Sequence, residues 1–161
     1  MSSPQNPYRA PGAAVADLDR PPGSPVKGVI YGVLVDLVGT MVATFALMLV
    51  YGIYIASTGA APEDIATAAG EFDYTSPIGI AATAVGCGFS FLVGYVCARV
   101  ARRSELNWAA VVAAISAAFG FSMGMGSVSA ELNVLFTSVA IGCVMAGGYV
   151  GARRNAAAST N

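Results

Sequence analysis

Histidine is missing from this chain altogether, and charge is scarce: eight Lys or Arg and nine Asp or Glu make up 11% of 161 residues. The first absence removes the usual general base, the commonest zinc ligand and the proximal haem ligand together. The second leaves too little polar surface for a water-soluble single domain of this length. Cysteine is sparse too. Cys87, Cys97 and Cys143 fall in apolar runs with no C-x-x-C spacing, so they read as small core residues and imply no disulfide framework. No catalytic activity, cofactor, metal or nucleic-acid partner is expected.

The few cations are also unevenly placed. They occupy positions 9, 20, 27, 99, 102, 103, 153 and 154, with none between Gly28 and Ala98 or between Ser104 and Ala152. What fills the gaps is apolar: 56% of the chain is hydrophobic and the mean hydropathy is +0.67. About 20 apolar residues at 1.5 Å rise each cross a bilayer. The sequence predicts four such spans, at about 28–57, 75–100, 106–126 and 132–152, flanked by a disordered tail (1–27) and a short tail (153–161). Tyr31 and Tyr51 bracket the first span, about 30 Å apart along a helix, and Trp108 opens the third. Between spans one and two lie Glu63, Asp64, Glu71 and Asp73 without a cation. Pro62 and Gly70 there have the punctuation of a short surface helix, with a solvated loop preferred over a cation site.

A phrase is used twice. Gly94-Tyr95-Val96-Cys97-Ala98-Arg99 returns as Gly148-Tyr149-Val150-Gly151-Ala152-Arg153, an offset of 54 that also aligns Val85 with Val139 and Gly88 with Gly142. The copies end spans two and four. Cations favour the cytoplasmic side of short loops, and all eight then fall on one side, with both termini inside. The fold expected is an all-α integral membrane four-helix bundle, a parallel repeat of two helical hairpins rather than an inverted one. Small residues recur every four positions, at Ala82, Gly86, Ser90, Gly94 and Ala98, at Ser116, Gly120 and Gly124, and at Ser138, Gly142 and Ala146. Such stripes permit close helix contact, which must replace the hydrophobic drive that lipid does not supply.

Asp36 is the one charged residue inside a span. It sits five residues past Tyr31, about 7.5 Å into the hydrocarbon, where it needs a partner or a neutral form. Side chains lean toward the N-terminus of their helix, which tips Asp36 toward Tyr95, Arg99, Tyr149 and Arg153. The axial gap to Arg99 is about 13.5 Å, so a water-bridged pair, or a bond from Tyr95 or Tyr149, is expected. The sharper alternative is a carboxylate that couples a proton or cation to transport. Arg99, Arg102, Arg103, Arg153 and Arg154 are candidates to hold anionic lipid headgroups, and a second copy or another membrane protein is a candidate partner.

Two resemblances accompany these readings. Asn6-Pro7-Tyr8-Arg9-Ala10-Pro11 resembles an NPYxAP phrase at the N-termini of small proteobacterial inner-membrane proteins, and implies a bacterial inner-membrane location; with no catalytic residues found, a structural or accessory membrane component is the function expected. Asp36-Leu37-Val38-Gly39-Thr40 resembles the Glu-Val-x-Gly-Thr run in the first helix of small multidrug resistance transporters, which also have four spans. Those proteins are shorter, insert in both orientations on weak charge bias and carry glutamate there. The strong cation asymmetry here, and the lack of their aromatic site residues in the later spans, set this chain apart from them.

Overall fold

The computed structural model describes residues 23–59, 61, 76–125 and 128–158. The expected surface helix near Pro62 to Gly70, the Asn6 to Pro11 phrase, Arg9 and Arg20 lie outside those residues. Within them are four helices, α1 (Pro25–Ser57), α2 (Pro77–Ala101), α3 (Glu105–Gly124) and α4 (Ala130–Ala158). Each is long and apolar enough to cross a membrane, and the chain is an all-α four-helix bundle of the multi-pass membrane type.

Local chemistry sets the ends. Ser24 and Ser76 cap α1 and α2, accepting from the Lys27 and Gly79 N–H groups at 3.4 and 3.0 Å, and a proline follows each cap. The Ser24-Pro25 pair starts α1 inside the segment expected to be a disordered tail, which corrects that boundary. The other correction is at the far terminus. Arg153, Arg154 and Asn155 were expected in a loose tail, yet α4 continues to Ala158 because Asn155 is buried against two neighbouring helices and alanines follow it. Between α2 and α3 the chain turns in three residues, with Arg102 (φ 52°) and Ser104 (φ 49°) both left-handed. That conformation costs an L-residue roughly 1–2 kcal/mol, and the packing below the turn holds it.

The helices pack as a rhombus. α2 and α4 share the most extensive interface, α1 lies against α2 and α3, α3 lies against α4 and α2, and α1 does not reach α4. Along the α2–α4 seam the residue numbers of facing positions increase together. A Cβ on Gly147 would overlap the Phe91 carbonyl, one on Gly151 would lie 2.9 Å from the Tyr95 oxygen, and one on Gly94 would overlap the Val144 carbonyl. The two helices therefore run in the same direction with Gly94 opposite its repeat partner Gly148, as a parallel repeat requires. Phe91 with Gly147, Tyr95 with Gly151 and Arg99 with Asn155 form one row along this seam, each step a helical turn of four residues. α1 pairs antiparallel with α2 (Gly32 with Cys97, Gly39 with Phe89), and α3 pairs antiparallel with α4 (Ala109 with Gly148, Gly124 with Asn133).

Packing is concentrated at the cation-bearing end. Val93, Cys97, Val112, Ala113 and Val144 form the core there, with Gly28, Gly32, Gly147, Gly148 and Gly151 also buried. Toward the other end the helices part. No residue of α1 from Thr40 onward is buried, and Met41 and Phe45 are 73% and 72% exposed. Gly52, Gly86, Gly88, Gly120 and Gly142 have no atom within 4 Å of where a side chain would stand. The small-residue stripes are thus contact faces only in part. In α4 the contact face is Val144, Gly147, Gly148, Gly151 and Asn155, one position round from the expected Ser138, Gly142 and Ala146, all three of which are exposed.

Candidate functional site

Asp36 sits on the α1 face that carries Gly28 and Gly32, the glycines that let α1 close on α2 and α3. One turn past Gly32, which meets Val112, the chain places Asp36 beside Ser116, four residues past Val112. The Ser116 hydroxyl donates to Asp36 Oδ2 at 2.5 Å. Both residues are half-buried, at the level where the packed end gives way to the open one. A carboxylate in hydrocarbon is costly unless hydrogen-bonded, and a hydroxyl from the facing helix supplies one such bond.

This corrects the expected pairing. Tyr149 and Arg153 lie on α4, which α1 does not touch, so neither is a partner for Asp36. Tyr95 and Arg99 lie on α2 but turn to α4. The Tyr95 hydroxyl accepts from Arg154 Nη1 at 3.3 Å and its ring lies 5.8 Å from the same guanidinium, while the Tyr149 ring lies 5.7 Å from Arg153. Both repeat tyrosines thus support arginines of α4 through the faces of their rings. Ser116 was visible in the sequence only as one member of a small-residue stripe.

A second polar group, unanticipated, closes the cation-bearing end. Asn155 Nδ2 donates to the Ala98 carbonyl at 2.9 Å and to Glu105 Oε1 at 3.3 Å, and its Oδ1 accepts from Arg99 Nη1 at 3.0 Å. One amide ties α4 to the last turn of α2 and the first residue of α3. Asn155 and Glu105 are both buried, and the bonds offset the cost of removing them from water. The signal that could have found Asn155 is its spacing, four residues past Gly151 and seven past Gly148.

At the open end Asn133 is the buried polar residue, donating to the Phe121 carbonyl at 3.1 Å and tying α4 to α3 near their short turn. Midway along the α2–α4 seam Cys143 and Cys87 lie near enough for their side chains to interact. Among the described residues no three His, Cys, Asp or Glu side chains group to hold a metal ion. Set beside known protein families, characterised proteins and solved structures, the chain matches none of them.

Proposed function

We propose that the protein is a non-catalytic structural or accessory component of a bacterial inner membrane, with both termini in the cytoplasm. The observation that carries this reading is the Arg99–Asn155–Glu105 cluster, whose polar groups bind helix ends to one another instead of facing an opening. Orientation follows from charge: Lys27, Arg99, Arg102, Arg103, Arg153 and Arg154 all belong to one end of the bundle. Arg102, Arg103, Arg153 and Arg154 are exposed there, with Arg99 half-buried beneath them, an arrangement suited to anionic lipid headgroups.

A second reading, a small proton- or cation-coupled transporter, is favoured by one observation: the Asp36–Ser116 pair lies at the boundary of the open half. Proteoliposomes carrying an internal pH dye separate the two. On the accessory reading Asp36→Asn leaves insertion and proton leak as in the unaltered protein. Proton movement that responds to an added solute, and vanishes in Asp36→Asn, would establish transport instead. A reporter fused after Arg154 tests the orientation, and activity confined to the periplasm would overturn it.

A further inference from the structure

We propose that Cys87 and Cys143 are a redox-active dithiol that closes to a disulfide across the α2–α4 seam, with a lipid-soluble quinone as oxidant. The pair continues the row that joins Arg99 to Asn155, Tyr95 to Gly151 and Phe91 to Gly147, four residues before Phe91 and Gly147 in their helices. Glycine at 94 and 147 brings the two backbones into contact within about two turns of the cysteines, and a disulfide needs its β-carbons only about 3.8 Å apart. Both cysteines are free and half-buried, and their side chains interact across the seam.

Depth decides which partner can reach them. Cys87 lies ten residues past the start of α2 and fourteen before its end, about 15 and 21 Å along the helix. Glutathione and thioredoxin, which keep cytosolic thiols reduced, work in water. Redox carriers dissolved in the hydrocarbon reach this depth. The side chains are half-buried, and Gly86, Gly88 and Gly142 beside them leave open space, so a flat ring can approach the sulfurs.

Charge decides between a disulfide and a soft metal. A bis-thiolate complex of a monovalent ion keeps a net negative charge, and the spans offer no cation within ten residues of either cysteine except at their arginine-bearing ends. Dithiol and disulfide are both neutral. The step balances without an outside proton donor: one sulfur adds its electron pair to the quinone, the second displaces it to form the S–S bond, and two electrons and both thiol protons leave on the quinol.

The test uses the full-length protein in liposomes, reduced, freed of reductant and exposed to decylubiquinone without oxygen, then denatured and alkylated. The expected result is a monomer lighter by two hydrogens in which only Cys97 is alkylated. Dithiothreitol should restore all three thiols, and Cys87→Ser and Cys143→Ser should each retain all remaining thiols with unchanged helicity. Three alkylated thiols after both decylubiquinone and copper-phenanthroline would show that the sulfurs do not meet. A bridge formed with copper-phenanthroline alone would overturn the quinone assignment, and a bridge between chains would overturn the intramolecular one.

Discussion

The guanidinium of Arg99 donates to the amide oxygen of Asn155 at 3.0 Å, and the same amide donates from its nitrogen to Glu105. Asn155 therefore reads a cation with its oxygen and an anion with its nitrogen, and only one orientation of the amide does both. Asn155→Ala should remove the three hydrogen bonds that join α4 to α2 and α3 at this end, at a cost of about 1–3 kcal/mol. Unfolding in mixed detergent micelles, followed by helicity, is the measurement; a variant as stable as the parent would show that the cluster does not hold the helix ends.

Glycines of one repeat should divide by location. Gly94→Ala and Gly147→Ala place a methyl group into backbone carbonyls of the facing helix and should destabilise the bundle by about 1–3 kcal/mol or prevent it from forming. Gly86→Ala and Gly142→Ala add a methyl where nothing lies within 4 Å, and their thermal transitions in detergent should match the parent. Equal losses at all four sites would contradict the parted far half.

Ser116→Ala removes the hydroxyl that Asp36 accepts from. A double-mutant cycle with Asp36→Leu isolates the pair, and a coupling of about 1 kcal/mol is expected, in the range found for hydrogen bonds between membrane helices. The single Ser116→Ala change should be the more harmful partner of that cycle, since it leaves the carboxylate in place. A coupling indistinguishable from zero would mean that the two side chains do not depend on each other.

Replacing Arg102, Arg103, Arg153 and Arg154 together with Gln should abolish any rise in thermal stability that anionic lipid gives the parent over zwitterionic lipid. Basic residues near such a surface contribute roughly 1 kcal/mol each. A rise that survives the four substitutions would place the lipid contact elsewhere.

The spans were legible because hydropathy is a property of composition, and the same-way repeat was legible because Gly94-Tyr95 and Gly148-Tyr149 end helices that run alike. What the sequence hid was rotation about each helix axis. Ser138, Gly142 and Ala146 satisfy a helical spacing of three or four as well as Val144, Gly147 and Gly151 do, and nothing in the order of letters says which set turns inward. For the same reason Asp36 was assigned to α2 and α4 by depth alone. Its azimuth on α1, fixed by Gly28 and Gly32 below it, sends it to Ser116. Asn155 was hidden by the cations before it, which resembled the end of a span.

In a pair of identical hairpins related by a two-fold axis, Val93 and Gly147 would have to be the same residue, as would Cys97 and Gly151. Joined in one polypeptide they differ: α2 has Val93 and Cys97 in the core where α4 has the close-contact Gly147 and Gly151. Fusion has let these matched positions carry different residues in the two arms. A chain built from two copies of the α1–α2 half would place a valine at position 147, where its β-carbon would run into the Phe91 carbonyl of the facing helix.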